Sequence, residues 1–209
     1  MYEKYFVIGF NKTATSTIHN LFIKNNISSF HNNNWQLIWD DENYDSFSDN
    51  GNSQDIEKLY NKYDNSIFIL NLRELDKWLI SRVEHGFRTK QPWAYNINDN
   101  KIIDWVLQRE NHYKFVLDFF KKDQKKLIIL DTTKENWIEY ILNKLNLNNT
   151  QVNSLNIHPK SVKYEIIVKR VNNILKFNLK LNNKQQKSKL LINDSENNAY
   201  LKLYENNLN

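Results

Sequence analysis

Cysteine is absent from this chain of 209 residues, while glycine occurs three times and proline twice. Without thiols, disulfide bonds, thiolate-bound metals and cysteine nucleophiles are excluded. No apolar run approaches the roughly 18 residues needed to span a bilayer, and the N-terminus lacks the pattern of a secretory signal. We therefore expect a cytoplasmic protein that does not bind membranes.

The composition is nevertheless that of a folded protein. Hydrophobic residues make up 40% and aromatic residues 13% of the chain, which excludes a wholly disordered polypeptide. The length suits one domain with a sizeable core, so we predict a single domain over residues 1–209. The formal net charge of +5 favours an anionic partner, although a solvated lysine-rich surface would give the same balance.

Apolar segments of strand length alternate with segments of helical periodicity. The predicted strands are 4–9, 27–30, 66–73 and 126–131. The predicted helices are 14–26, 56–63, one through 78–82, 101–121 and one ending near 147. A capping box of Thr132 and Glu135 is predicted to start the last of these helices, and residues 31–52 are predicted to form a long loop.

This alternation predicts an α/β fold, a three-layer sandwich in which a central parallel β-sheet is flanked by helices. Apolar residues at helical spacing after residue 155 predict a helical C-terminal extension over 155–209. In parallel sheets of this kind, ligands bind at the carboxyl ends of the strands. The turn after the first strand is therefore the first place to look for a site.

The turn at 10–17 has the composition of an anion-binding loop. A helix beginning near Ala14 would present unpaired backbone N–H groups and the positive end of its dipole. Lys12 adds a mobile positive charge. Further donors are the hydroxyl groups of Thr13, Thr15, Ser16 and Thr17. The loop lacks the two spaced glycines of nucleotide triphosphatases, and its hydroxyl groups could instead cap the helix while Lys12 stays in solvent.

A second motif lies at the end of the predicted strand 66–73. Arg73 stands at the strand end, and Ser81 follows eight residues later on the next helix. This spacing returns Ser81 to the same edge as Arg73, so the two side chains could bind one phosphate group. The alternative is an ordinary surface ion pair of Arg73 with Glu74 or Asp76.

Together, the segments GFNKTATSTIH at 9–19 and RELDKWLISRVEHG at 73–86 resemble the sulfotransferase superfamily, particularly its short microbial members. In that family a Pro-Lys-x-Gly-Thr-Thr loop follows the first strand, and an Arg and a Ser eight positions apart follow a later strand. The segments LIILDTTKENW and LNIHPKS also look similar, so the resemblance covers about residues 4–161. It implies a P-loop-like fold and an enzyme that uses 3′-phosphoadenosine 5′-phosphosulfate (PAPS) without a metal.

The resemblance also implies roles for individual residues. Lys12 would neutralise the oxygen that the sulfuryl group leaves, while Arg73 and Ser81 would hold the 3′-phosphate. The 5′ side of the donor would be held by Lys12, Thr13, Ala14, Thr15, Ser16 and Thr17. The product would be 3′,5′-adenosine bisphosphate (PAP). Asn11 and Ala14 replace the proline and glycine of the family. We expect Ala14 to be tolerated because the family loop already begins a helix there.

The acceptor, a hydroxyl or amine of a small molecule or glycan, needs a base to take its proton. His31 is the first candidate because it follows the predicted strand 27–30 and so faces the carboxyl edge near Lys12. His85 and Glu84 are alternatives, His19 is expected on a helix face, and His158 would line a ligand pocket. An aromatic surface for the acceptor could come from Trp35, Trp39, Trp93 and Trp105, although such residues more often form the core.

Two other interpretations stay open at this point. One is a kinase or nucleotide hydrolase with an altered phosphate loop, for which Asp131 is the only candidate strand-end carboxylate for magnesium. The other is an inactive module that binds anions or nucleic acid. No recognised nucleic-acid motif is present and the lysines form no single patch, so we do not expect a nucleic-acid partner.

Overall fold

The computed structural model describes residues 4–32, 34–95 and 97–148. Within this part the chain forms two compact units, one made of 4–72 and 113–148 and the other of 73–112. The single domain over 1–209 stays a prediction, and the helical extension at 155–209 lies outside the described residues. Among the described helices, none combines the length and the apolar character needed to cross a membrane.

The first unit is built on five parallel strands, which are β1 (Lys4–Val7), β2 (Ser29–His31), β3 (Ser46–Ser48), β4 (Ser66–Leu72) and β5 (Leu127–Asp131). They lie in the order β2-β3-β1-β4-β5, with Tyr5 opposite Ser46 on one side and opposite Ile67 on the other. The prediction of an α/β fold with a parallel sheet is confirmed. Because all strands run the same way, their carboxyl ends meet at one edge.

Helices lie between the strands along the chain, and one follows the last of them. In the first unit they are α1 (Thr15–Lys24), α2 (Ile56–Lys62) and α6 (Trp137–Leu145). The second unit contains α3 (Leu75–Arg88), α4 (Pro92–Tyr95) and the start of α5 (Asp99–Phe119), whose last turns belong to the first unit. Short 3₁₀ turns occur at Trp35–Leu37, Gly51–Ser53, Phe120–Lys122 and Gln124–Lys126.

The two faces of the sheet carry different kinds of core, because side chains alternate along each strand. Tyr5 and Val7 point to a mainly aliphatic layer that α1 and α6 complete with Ile18, Leu21, Phe22, Ile141, Leu142 and Leu145. Phe6 points to the other face, where its ring lies within 6 Å of those of Trp35, Phe47 and Phe68. Layers on both faces fix the sheet, and with it the loops at the carboxyl edge.

Two details of the predicted secondary structure are wrong. The predicted loop at 31–52 contains β3, a strand of three residues that pairs with both β1 and β2. The capping box at Thr132 does not form, because the Thr132 hydroxyl donates to the Leu72 carbonyl at 2.7 Å and α6 begins only at Trp137. Both differences arise because tertiary hydrogen bonds override a local sequence pattern.

Candidate functional site

The loop after β1 lies at the point where the strand order reverses. From β1 the chain proceeds to β2 and β3 on one side of the sheet, and later to β4 and β5 on the other. In open α/β sheets such a reversal leaves a crevice at the carboxyl ends of the strands, where ligands bind. The loop at 8–14 occupies this position and leads directly into α1.

Asn71 holds this loop from the neighbouring strand β4. Its side-chain oxygen accepts a hydrogen bond from the Gly9 N–H at 2.9 Å, and its Nδ2 donates to the Thr13 carbonyl at 2.8 Å. Asn71 is fully buried, so these bonds are shielded from water. Gly9 is required here because a Cβ atom at this position would lie 2.2 Å from Asn71 Oδ1. The amide therefore fixes both ends of the loop.

The backbone of the loop contains two residues in the left-handed region. Lys12 and Ala14 both have a φ of 65°. The expectation that Ala14 is already helical is wrong: Ala14 precedes α1 as its N-cap residue and adopts a conformation that favours glycine. Because alanine carries no side-chain acceptor, the first N–H groups of α1 receive no hydrogen bond from a cap side chain.

Thr13 and Thr15, both predicted ligands, are buried. The Thr13 hydroxyl donates to the Phe10 carbonyl and accepts from Asn71, so this side chain supports the loop from within. The Thr15 hydroxyl lies 3.5 Å from Asp49 Oδ1. Ser16 and Thr17 are half-buried, as is Lys12. The hydroxyl groups of Ser16 and Thr17, in the first turn of α1, are thus more exposed than those of Thr13 and Thr15.

His31 lies against the first turn of α1. Its Nε2 atom is 3.0 Å from Ser16 Oγ and its Nδ1 atom is 3.0 Å from Ser48 Oγ. The His19 ring stacks on it at 5.2 Å between centroids. The topology therefore brings together three of the predicted elements of the site: the loop, Ser16 and the candidate base.

The surroundings of both imidazoles favour their neutral forms. Burial lowers the pKa of His31, Asp49 opposes this effect, and the positive charge of Lys12 adds to it. Burial, together with the neighbouring His31, lowers the pKa of His19 to about 4. The lowered pKa of His31 favours its neutral form, which is the form that can accept a proton as a general base.

Asp49 is a residue of this edge that the sequence analysis missed. It follows β3, which pairs with β1, and its backbone carbonyl accepts from the indole N–H of Trp35 at 2.8 Å. The prediction that Asp131 is the only candidate strand-end carboxylate is therefore wrong. The Asp131 carboxylate itself accepts hydrogen bonds from the backbone N–H and the hydroxyl of Thr133. The missing signal was β3 itself, without which Asp49 could not be placed at a strand end.

Arg73 and Ser81 belong to the second unit. Arg73 precedes α3 and Ser81 is its seventh residue, about 9 Å along the axis from Leu75 at 1.5 Å per residue. Both side chains are half-buried. The Arg73 carbonyl accepts a hydrogen bond from the buried guanidinium of Arg109 at 2.7 Å, which fixes the backbone at the start of α3. Glu74, an alternative partner for Arg73, forms an ion pair with Lys77.

The remaining candidates are placed as follows. His85 contacts Arg88 on α3 at 3.0 Å, and Glu84 is half-buried on the same helix. Trp35 and Trp105 are buried, so they belong to the core and not to a stacking surface. Trp39 and Trp93 are half-buried, and His158 lies outside the described residues.

Among the residues that the structure describes, no three His, Asp or Glu side chains gather as a metal-binding group. Comparisons of the sequence with known protein families and with curated proteins find no match.

Proposed function

We propose that the protein is a sulfotransferase that moves a sulfuryl group from PAPS to a hydroxyl or amine. One observation carries the proposal: at the strand-order reversal, a loop with Lys12 at its bend opens a helix whose first turn contacts the ring of His31. Phosphosulfate binding needs a positive charge and backbone N–H donors. The loop at 8–14 meets these needs, and the resemblance in sequence supports a sulfotransferase with a P-loop-like fold.

The loop would bind the 5′ side of the donor. Ala14 leaves the first N–H groups of α1 without a side-chain cap, and these groups sit at the positive end of the helix dipole. Thr17 adds a hydroxyl donor, Ser16 adds a second when the acceptor displaces it from His31 Nε2, and Lys12 supplies the charge that neutralises the leaving oxygen. By the resemblance, Arg73 and Ser81 bind the 3′-phosphate, which distinguishes this donor from ATP.

His31 would act as the base. PAPS supplies the sulfuryl group, whose bond to the phosphate oxygen breaks as a new bond to the acceptor oxygen or nitrogen forms. His31 Nε2 takes the proton that the acceptor loses, and the phosphate oxygen takes over the negative charge beside Lys12. The resting partner of Nε2 is Ser16 at 3.0 Å. The acceptor therefore either displaces this hydroxyl or passes its proton through it.

The proposal is tested by thermal unfolding with PAP, AMP and ATP in parallel. A ligand at 100 times its Kd stabilises by about 2.7 kcal/mol, which raises the Tm of a chain of this size by roughly 5–10 °C. We expect a rise with PAP alone. Lys12→Ala and Arg73→Ala should each remove it, whereas Lys24→Ala at the other end of α1 and Arg88→Ala at the end of α3 should preserve it. A Tm that PAP leaves unchanged in the wild type would refute the donor assignment.

A second candidate function rests on the contact between Thr15 and Asp49. A hydroxyl at the start of the helix, paired with a carboxylate at the end of the neighbouring strand, can share a magnesium ion that bridges nucleotide phosphates. This arrangement favours a magnesium-dependent nucleotide kinase or hydrolase. Here the Tm would rise with ATP and magnesium together, and Asp49→Asn would remove that rise. Under the sulfotransferase proposal, Asp49→Asn leaves the PAP response in place.

A further inference from the structure

The hydrogen bonds of His31 form a directed chain that ends on the main chain. His31 Nδ1 lies 3.0 Å from Ser48 Oγ, and Ser48 Oγ lies 3.5 Å from the Phe30 carbonyl oxygen. Ser48 is fully buried in β3, so its hydroxyl has no access to water. The partner of the other ring nitrogen, Nε2, is the Ser16 hydroxyl.

The direction of this chain follows from what each group can do. A carbonyl oxygen only accepts, so the Ser48 hydroxyl can bond to Phe30 only by donating its single proton, and in that arrangement it cannot donate to His31. The Ser48 oxygen then presents a lone pair to His31, and Nδ1 must carry the ring proton to complete the bond. A neutral imidazole carries one N–H. The lone pair of Nε2 therefore faces Ser16 and the start of α1.

We propose that Ser48 is a positioning residue that fixes His31 in the Nδ1–H tautomer and so aims the basic Nε2 atom at the anion-binding loop. This inference rests on the role of His31 in the proposed function. The charged and titratable groups around His31 are Lys12 on the loop, Asp49 after β3 and His19 on α1. Ser48 is the hydrogen-bond partner of Nδ1 and Ser16 that of Nε2, and Ser16 can either donate to Nε2 or accept from it, so the Ser48 contact favours the Nδ1–H form.

The chain provides a matched control on the same strand. Ser46 lies two residues before Ser48, so it shares the same face of β3, and it is also fully buried. Its hydroxyl contacts Ser29, which in turn contacts His19 and not His31. Ser46→Ala thus removes an equivalent buried hydroxyl without touching the tautomer of His31.

The test is a long-range ¹H–¹⁵N spectrum of the histidine rings in the full chain at neutral pH, where protonated and unprotonated ring nitrogens resonate at well-separated frequencies. His31→Gln identifies the signals of His31. We expect a protonated Nδ1 in the wild type and in Ser46→Ala. In Ser48→Ala the protonated signal should move to Nε2, which then donates to Ser16, and Ser48→Thr should restore the wild-type pattern.

A wild-type spectrum with the proton on Nε2 would overturn the proposal, and so would an unchanged tautomer in Ser48→Ala. If Ser48→Ala does not fold, the wild type and Ser48→Thr still decide, since both must show a protonated Nδ1. The spectrum needs no nucleotide. A chain that fails to bind PAP but has the expected tautomer would therefore contradict the sulfotransferase and not the role of Ser48.

Discussion

Replacing Ala14 by glycine should stabilise the protein, although the change removes a methyl group. Ala14 has a φ of 65° and a ψ of 23°, and an L-residue in this region costs roughly 1–2 kcal/mol because Cβ approaches the carbonyl oxygen. Glycine adopts the conformation without that cost, but the unfolded chain gains about 0.4–1 kcal/mol of conformational freedom. The net gain is about 0.5–1 kcal/mol in the free energy of unfolding.

Two further effects bear on the same substitution. Glycine is a better N-cap residue than alanine, which acts in the same direction. For a chain of this length, 1 kcal/mol changes the Tm by roughly 2–4 °C, so we expect Ala14→Gly to raise the Tm by about 1–4 °C. Thermal unfolding followed by circular dichroism resolves such a difference, and chemical denaturation gives the free energy directly.

The control is the same substitution at an ordinary backbone position. Ala94 is buried in α4 and has a negative φ, so Ala94→Gly should destabilise by about 1–2 kcal/mol, through helix propensity and the loss of a buried methyl group. Ala14→Val places a β-branched side chain at the positive φ and should destabilise strongly. A lower Tm for Ala14→Gly than for the wild type would refute the left-handed conformation of Ala14, and with it the shape of the loop.

Three further predictions concern the support of the site. Asn71→Ala leaves the Gly9 N–H and the Thr13 carbonyl buried without their partner, so denaturation should show a loss of about 2–4 kcal/mol; a loss below 1 kcal/mol would contradict the bridging role. Gly9→Ala drives a Cβ against Asn71 and should cost about 1–3 kcal/mol in the same assay, and a neutral result would show that the approach is not close. His19 has its pKa lowered from 6.5 to about 4, so the unfolded state binds more protons in this window. The free energy of unfolding should therefore fall between pH 6.5 and 4, by about 1 kcal/mol for this half-buried group. His19→Gln should flatten the profile, and an unchanged slope would refute the assignment.

The sequence predicted those parts of the fold that depend on a local pattern. The apolar run of β4 and the helical spacing of Ile18, Leu21 and Phe22 in α1 need no tertiary information. The position of His31 followed from the topology, because a residue that ends a parallel strand must lie at the carboxyl edge. Its proton-transfer role stays a prediction.

The residues that the sequence did not reveal are polar groups that act through contacts distant in sequence. β3 has the sequence Ser-Phe-Ser, which carries no strand signal by itself. Its serines become buried only because they pair with Ser29 and His31 on β2. Asn71 could have been suspected as the one amide in the apolar run of β4. Its two partners, Gly9 and Thr13, lie about 60 residues away and become visible only in three dimensions.

The distribution of backbone strain bears on whether the loop is more than a helix cap. Four of the seven non-glycine residues with positive φ in the described part lie after β1 and β3, at Lys12, Ala14, Asp49 and Asn50. Asp and Asn are enriched in this region, whereas lysine and alanine are uncommon there. A sequence that needed only a cap would place a threonine at the N-cap, and threonines stand on both sides of Ala14. The chain instead has an uncapped helix start and a strained bend, held by the buried amide of Asn71. Strain that the surrounding structure maintains in this way is concentrated at ligand-binding sites, and this supports an anion at Lys12 over a simple helix cap.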